Sequence, residues 1–84
     1  MDTATLGTLS AAKIIDARGT ACPGPLLEAK KGMGAVAVGQ VLEVKSNDVG
    51  SRKDIAAWSN KMGHQFLGVI EADGHDRIFV RRGK

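Results

Sequence analysis

The spacing of apolar residues predicts a strand and then a helix in the first half of the chain. Lys13-Ile14-Ile15-Asp16 is typical of a short strand that ends at Arg18-Gly19, where glycine permits a turn. Leu26, Ala29 and Met33 then recur at helical spacing within the segment from Pro23 to about Val36. Gly32 and Gly34 weaken the far end of this helix, so it should end between Met33 and Val38.

Apolar and polar residues alternate after this helix, which predicts a second strand. The segment 40–46 places Leu42, Val44 and Ser46 on one face and Val41, Glu43 and Lys45 on the other. The half-polar second face recurs at Arg77, Phe79 and Arg81, and this indicates that the helices leave one side of the sheet uncovered.

A second helix should follow the loop 47–50. Ser51 and Asp54 resemble a capping box, in which Ser51 accepts from the Asp54 amide and Asp54 reaches back. The apolar stripe of this helix is Ile55, Trp58 and Met62, which assigns Trp58 to the core. Gly63 is placed to end the helix in a left-handed conformation.

The C-terminal part of the chain predicts two strands joined by the glycine-containing turn Ala72-Asp73-Gly74-His75. The element order is then β-α-β-α-β-β. The strand-helix-strand unit requires a parallel pair of strands, while the short last connection requires an antiparallel pair. We therefore expect an α/β two-layer sandwich, with a mixed four-stranded sheet and two helices on one face.

Length and composition limit the class of protein. At 84 residues the chain is one small domain, which we assign to residues 13–84 after a flexible N-terminal tail of residues 1–12. No apolar run approaches the roughly 20 residues that cross a bilayer, and the first residues lack a basic start followed by an apolar block. We expect a cytoplasmic protein with no membrane partner.

The only cysteine and both prolines lie in the stretch TACPGP. Cys22 falls at or just before the start of the first helix, where unpaired N–H groups and the helix dipole favour a thiolate, and Pro23 and Pro25 stiffen the chain around it. A lone cysteine is more often a small buried apolar residue, and the residues alone leave that alternative open. A single cysteine excludes an internal disulfide and a dithiol redox motif.

The two histidines give little support for a hydrolytic enzyme or for a metal site. His64 falls at a helix end and His75 in a turn, positions that are typical of capping or solvated residues. One cysteine and two histidines at no recognisable spacing make a poor zinc site. We expect neither a metal nor a resident cofactor.

The residues around Cys22 resemble a known family. The pattern is Asp16-x-Arg18-Gly19-x-x-Cys22-Pro23-x-Pro25, followed by a helix, a strand, Asp48 and Lys53-Asp54-Ile55. It is similar to the pattern of the TusA/SirA-type sulfur carrier proteins. The similarity runs from about Ile14 to Arg81, and its specific part is Cys-Pro-x-Pro at a helix start. Val49 departs from the pattern, because many members have a proline there.

The resemblance implies a function for Cys22. It would take sulfane sulfur from a donor such as a cysteine desulfurase or a rhodanese, carry it as a transient persulfide, and deliver it to an acceptor protein. Family members serve tRNA thiolation, sulfur oxidation and related routes. The chain would be a stoichiometric carrier, not an enzyme in its own right. Independently of the resemblance, the open sheet face makes weak dimers possible, so we expect a monomer or a weak dimer. A lone cysteine suits this role, since no second thiol can discharge the persulfide as a disulfide.

Other residues are candidates to support the thiolate or partner docking: Asp16, Arg18, Gly19, Pro23, Pro25, Lys30, Lys31 and Asp48. Arg18 could stabilise the thiolate or a docked partner, or could form a simple surface ion pair with Asp16. A basic rim near the helix starts could be formed by Lys30, Lys31, Arg52 and Lys53, and it would attract an acidic face on a donor protein. Alternatively, these residues could simply lie on solvated helix faces.

Two other functions stay open. The net charge of +3, the pI near 9.4 and the cluster of Arg77, Arg81, Arg82 and Lys84 favour a small basic RNA-binding or regulatory module. The few aromatic residues supply a poor stacking surface, so we expect no stable nucleic-acid binding. A peroxide-sensing thiol is the third possibility, and without a second cysteine it would depend on glutathione or another chain.

Overall fold

The computed structural model describes residues 11–20, 24–48 and 50–84. Cys22, Pro23, Val49 and most of the predicted N-terminal tail therefore lie outside the described residues. The strands are β1 (Lys13–Asp16), β2 (Val41–Ser46), β3 (Gln65–Ala72) and β4 (His75–Arg81), and the helices are α1 (Gly24–Met33) and α2 (Ser51–Met62). This confirms the predicted element order. In the described part of the chain, no helix has the length and apolar content to cross a membrane.

The four strands form one mixed sheet in the order β1-β2-β4-β3. β1 pairs in parallel with β2, and β4 runs antiparallel to both β2 and β3. Residues of α1 and α2 join one core cluster with Leu42, Val44 and Val80, so both helices cover the same face. The predicted two-layer sandwich is confirmed.

Strand direction brings three connections to the same end of the sheet. β1 and β2 both finish there, and Ser46 at the end of β2 is paired with Asp76 near the start of β4. The β1–α1 connection, the β2–α2 loop and the β3–β4 turn therefore meet at this end, which we call the loop end. The segment that carries Cys22 belongs to the first of these connections.

Helix α1 lies close to the sheet because of a glycine. Ala29 and Met33 are buried, as their spacing predicted, and the helix ends at Met33, within the predicted interval. A β-carbon on Gly32 would lie 2.8 Å from Cγ1 of Ile15 and 3.1 Å from Cδ1 of Leu42. Gly32 was expected only to weaken the helix, but it also allows the backbone of α1 to approach β1 and β2.

Helix α2 begins and ends where the sequence predicted, but the contacts at its start differ from the prediction. The predicted capping box is wrong: the N-cap residue is Gly50, and the Asp54 N–H donates to the backbone oxygen of Gly50 instead of the Ser51 hydroxyl. The Ser51 hydroxyl instead shares a buried hydrogen bond of 2.8 Å with the Ser46 hydroxyl. Gly63 ends the helix with φ of 79°, as predicted.

The buried face of α2 differs from the predicted stripe in one position. Ile55 is fully buried and Trp58 packs partly buried against the core, but Met62 is half exposed. Ser59 is buried instead, because its hydroxyl donates to the Ile55 carbonyl oxygen at 2.7 Å and so needs no water.

The second face of the sheet holds a smaller cluster of Val41, Leu67 and Phe79, built from strand residues among those described. Glu43 lies on this face, which no helix covers, and is nevertheless only 2% exposed. Arg77 neutralises it, donating from Nε and Nη2 to the two carboxylate oxygens at 3.1 Å each. The same guanidinium lies 5.2 Å from the centre of the Phe79 ring.

Candidate functional site

The candidate site lies at the loop end, in the connection between β1 and α1. Helix α1 begins at Gly24, two residues after Cys22 in the sequence. The three residues 21–23 therefore join two described positions, Thr20 and Gly24. Pro25, in the first turn of α1, is fully buried.

Asp16 and Arg18 organise the first half of this connection. The Asp16 carboxylate accepts from the backbone N–H of Arg18 at 3.1 Å and from its guanidinium at 2.8 Å through each oxygen. These bonds hold the pKa of Asp16 well below its usual range and raise the pKa of Arg18. The ion pair considered as an alternative for Arg18 is thus present, with both side chains about half exposed.

The turn that follows depends on a backbone conformation suited to glycine. Gly19 has φ of 82°, in the left-handed region, and the Thr20 N–H donates to the Ala17 carbonyl oxygen at 3.2 Å. The Gly19 N–H donates across 28 residues to Oδ1 of Asn47 in the β2–α2 loop, at 2.9 Å. This bond joins the two loops at the loop end.

The β2–α2 loop is itself tied to the core. The Ser46 hydroxyl, buried with that of Ser51, accepts from the Asp48 N–H at 3.1 Å. The Asp48 backbone oxygen accepts from the Ser51 N–H at 3.1 Å, and its carboxylate accepts from the Gly50 N–H at 3.4 Å. Asp48 thus shapes the loop that faces the Cys22 connection.

Thr20 and Gly24 are packed against each other across the segment 21–23. A β-carbon on Gly24 would collide with the Thr20 side-chain methyl group, so glycine is required for this packing. Beside Thr20 lies an open depression of about 350 Å³, lined by Gly19, Thr20, Asn47 and Asp48. A second depression of about 570 Å³ extends from Asn47 toward the β3–β4 hairpin.

The expected basic rim near the helix starts is not formed as a unit. Lys30 and Lys31 lie in the last turn of α1, away from its start, where positive charge is favourable to the helix dipole. Arg52 stands at the start of α2, but its guanidinium bonds to Asp76 at 2.8 Å and Glu71 at 3.3 Å. Of the four residues, Lys53 alone combines a helix-start position with no ion pair among the described residues.

The arginines proposed for an RNA surface are engaged within the protein. Arg77 pairs with Glu43, and Arg81 donates to Oε1 of Gln65 at 3.3 Å. Arg82 donates to the Val36 carbonyl oxygen at 2.6 Å and to that of Met33 at 3.3 Å, near the end of α1. Structural contacts therefore account for these guanidinium groups.

The two histidines lie at opposite ends of the sheet, His64 just before β3 and His75 at the start of β4, at the loop end. His64 accepts the Gly83 N–H on Nδ1 at 3.0 Å and packs against Trp58, with ring centres 5.4 Å apart. His75 contacts the Asp73 carbonyl oxygen at 3.1 Å within the hairpin turn. The residues that the structure describes contain no group of three side chains suited to hold a metal.

Sequence reasoning missed three residues of the site: Thr20, Gly24 and Asn47. An asparagine followed by aspartate directly after a strand is a recognised signal for side-chain bonds to nearby backbone, and it could have drawn attention to Asn47. Nothing local in the sequence identifies its partner, Gly19, which lies 28 residues earlier.

Comparisons with known proteins agree on one family. The family model described as sulfurtransferase TusA matches residues 13–82. A putative sulfur carrier protein of Archaeoglobus fulgidus is 45% identical over 71 residues, covering 84% of this chain and 97% of the relative. The sulfur carrier protein TusA of Allochromatium vinosum is 37% identical over 68 residues, covering 81% and 90%.

A solved structure extends the likeness to the fold. The SirA-like protein of Desulfitobacterium hafniense superimposes with a TM-score of 0.74 at 28% identity, over 86% of this chain and 99% of that one. Its similarity supports the architecture described above.

Proposed function

Because this chain belongs to the TusA sulfurtransferase family, we propose that it is a sulfur carrier whose Cys22 accepts sulfane sulfur as a persulfide and passes it to an acceptor protein. The observation that carries the proposal is the family match over residues 13–82, which includes the only cysteine of the chain. A carrier of this kind takes part stoichiometrically, so it is not a catalyst by itself.

Loading is a thiol–persulfide exchange. The Cys22 thiolate attacks the outer sulfur of a donor persulfide, a new S–S bond forms on Cys22, and the S–S bond of the donor breaks. The inner sulfur of the donor persulfide leaves as a thiolate and takes up a proton. One S–S bond forms for each one that breaks, so the exchange involves no net oxidation. Delivery repeats the exchange, with an acceptor thiolate attacking the outer sulfur on Cys22.

The surroundings of Cys22 suit this exchange. The cysteine precedes α1 by two residues, and the N-terminal end of a helix favours a thiolate over a thiol. The turn formed by Asp16, Arg18 and Gly19 leads directly into the segment, and the buried Pro25 anchors the far side. A thiol held on such a connection loses little conformational freedom when a partner docks.

The proposal includes two protein partners and a cellular location. The donor is a cysteine desulfurase or a rhodanese, and the acceptor supplies the thiol that receives the sulfur. We place the exchange in the cytoplasm, where thiols are kept reduced. The transient persulfide is the only group that Cys22 has to carry, and no resident cofactor is needed.

The test is the intact mass of the protein after incubation with a sulfane-sulfur donor, either polysulfide or a cysteine desulfurase with cysteine. We expect wild type to gain one or more sulfur masses and to lose them on reduction. Cys22→Ser should keep the fold and gain none. A loaded protein mixed with an acceptor thiol should return to its starting mass while the acceptor gains sulfur.

Two results would count against the proposal. Wild type that gains no sulfur from any donor would remove the loading step, and equal gain by Cys22→Ser would assign the sulfur elsewhere. Salt-dependent RNA affinity that survives Cys22→Ser, combined with no loading, would instead favour the nucleic-acid module.

A further inference from the structure

We propose that Asn47 is a positioning residue for Cys22, acting through its side-chain hydrogen bond to the Gly19 N–H. The inference rests on the proposed function, because it assigns Asn47 a part in presenting the sulfur-bearing thiol. Asn47 belongs to a different loop from Cys22 and is not among the residues that carry the resemblance to the family.

Asn47 is held on both sides by contacts to the core. Ser46, directly before it, ends β2 and shares its hydroxyl with Ser51 in a fully buried pair. Asp48, directly after it, donates its N–H to the same Ser46 hydroxyl. The backbone of Asn47 is therefore placed by buried groups that belong to the core, although its own side chain lies at the surface.

The Asn47 side chain ties the β1–α1 connection to this fixed backbone. Its Oδ1 accepts the Gly19 N–H at 2.9 Å, at the residue with positive φ where the chain reverses. Thr20 follows directly, and its methyl group packs against Gly24 at the start of α1. The bond at Gly19 thus fixes one end of the segment that contains Cys22, and α1 fixes the other.

Positioning has a chemical consequence for a thiol near a helix start. The N-terminal field of a helix falls off within its first turn, so a small displacement of the sulfur weakens the stabilisation of the thiolate. Without the bond at Gly19, we expect the connection to be held less firmly and the helix start to act less strongly on the thiol. The Cys22 pKa should then rise, and its reactivity at neutral pH should fall.

The experiment compares Asn47→Leu with Gln40→Leu. Gln40 makes the same kind of bond at the opposite end of the sheet, accepting the Ala37 N–H on Oε1 at 2.8 Å. Two quantities are measured in each variant and in wild type. One is the exchange rate of the Gly19 amide hydrogen by NMR, and the other is the rate of Cys22 alkylation by iodoacetamide from pH 5 to 9.

We expect Asn47→Leu to accelerate Gly19 exchange roughly fivefold, which corresponds to the loss of one hydrogen bond. Its alkylation at pH 7 should slow roughly threefold or more, with the midpoint of the pH profile moved upward. Gln40→Leu should leave both quantities as in wild type. Asn47→Asp keeps an acceptor oxygen and should restore Gly19 protection.

The negative charge that Asn47→Asp introduces also acts on the thiol, and this electrostatic effect on alkylation should shrink as the salt concentration is raised. An unchanged pH profile in Asn47→Leu would overturn the proposal, whether or not Gly19 exchange accelerates. If Asn47→Leu fails to fold, Asn47→Ala supplies the same comparison. Alkylation and exchange require no sulfur donor, so failure of this inference is distinguishable from failure of sulfur loading.

Discussion

The Thr20 side chain occupies the space that a β-carbon on Gly24 would need. The two residues flank the segment that holds Cys22, so this packing closes the loop at its base. Gly24 is the first residue of α1, and its φ is not in the left-handed region. The glycine is therefore required by its neighbour, while its own backbone conformation would accept alanine.

We predict that Gly24→Ala destabilises the protein although alanine is the better helix former by about 1 kcal/mol. The Thr20 methyl group has to move, and the clash should cost about 1–3 kcal/mol in urea unfolding. Thr20→Ser removes that methyl group, so the double variant Thr20→Ser/Gly24→Ala should recover most of the loss. Additive effects of the two substitutions would contradict the contact.

A second prediction separates the two roles considered for Arg18. Asp16→Asn releases the guanidinium from its carboxylate partner, and Arg18→Gln removes the cation altogether. If Arg18 acts on the thiolate, the first variant should speed alkylation of Cys22 at pH 7 and the second should slow it, each roughly two- to threefold at low salt.

The pair offers its own control, because both substitutions remove the same ion pair but change the local charge in opposite directions. Equal effects of the two variants on alkylation would assign the side-chain ion pair to shaping the turn, since both variants lose it. No effect of either variant would leave it a surface ion pair of small consequence. The opposed effects should diminish at high salt, whereas an effect on turn shape should persist.

The third prediction concerns the approach of α1 to the sheet. Gly32→Ala places a methyl group against Leu42, which is fully buried, and Ile15, which packs partly buried against the core. It should lower the free energy of unfolding by about 1–2 kcal/mol. Gly34→Ala is the matched control, since its β-carbon would come no closer than 3.4 Å to the Lys31 carbonyl oxygen. Gly34→Ala should be neutral or slightly stabilising, and equal losses in the two variants would contradict the close approach.

Local patterns were sufficient for the element order, the hairpin and the left-handed Gly63, because each depends on residues that are near one another in sequence. The same patterns could not place Glu43 in the interior. Its burial depends on Arg77, which lies 34 residues later and faces it only after β2 and β4 have paired. The half-polar strand face indicated correctly that no helix covers it, but it did not indicate that one of its charges is buried with a partner.

Separation along the chain also limited what the sequence could predict about the candidate site. The motif around Cys22 is local and could be recognised, whereas the bond from Asn47 to Gly19 joins two loops that meet only in the folded sheet. The basic rim was misplaced because Lys30 and Lys31 were grouped by charge, although the length of α1 carries them away from its start. In α2, Ser59 replaced Met62 on the buried face because a hydroxyl bonded within its own helix can be buried without water.

The last prediction is a loss of stability at mildly acidic pH that depends on His64. Burial and the nearby cations Arg82 and Lys84 lower the pKa of His64 below its ordinary value of 6.5, and its Nδ1 has to be unprotonated to accept the Gly83 N–H. The unfolded chain therefore binds a proton more readily, so the contribution of His64 is complete above about pH 6.5 and is lost as pH falls through the lowered pKa.

His64→Phe keeps a ring against Trp58 but removes the acceptor, and it should lower the free energy of unfolding at pH 8 by about 1 kcal/mol. Urea unfolding of both proteins from pH 8 to 5 should show this difference shrinking toward pH 5. Lys84→Met removes one of the cations and should make the wild-type pH dependence shallower; a difference between wild type and His64→Phe that stays constant over this range would contradict the assignment.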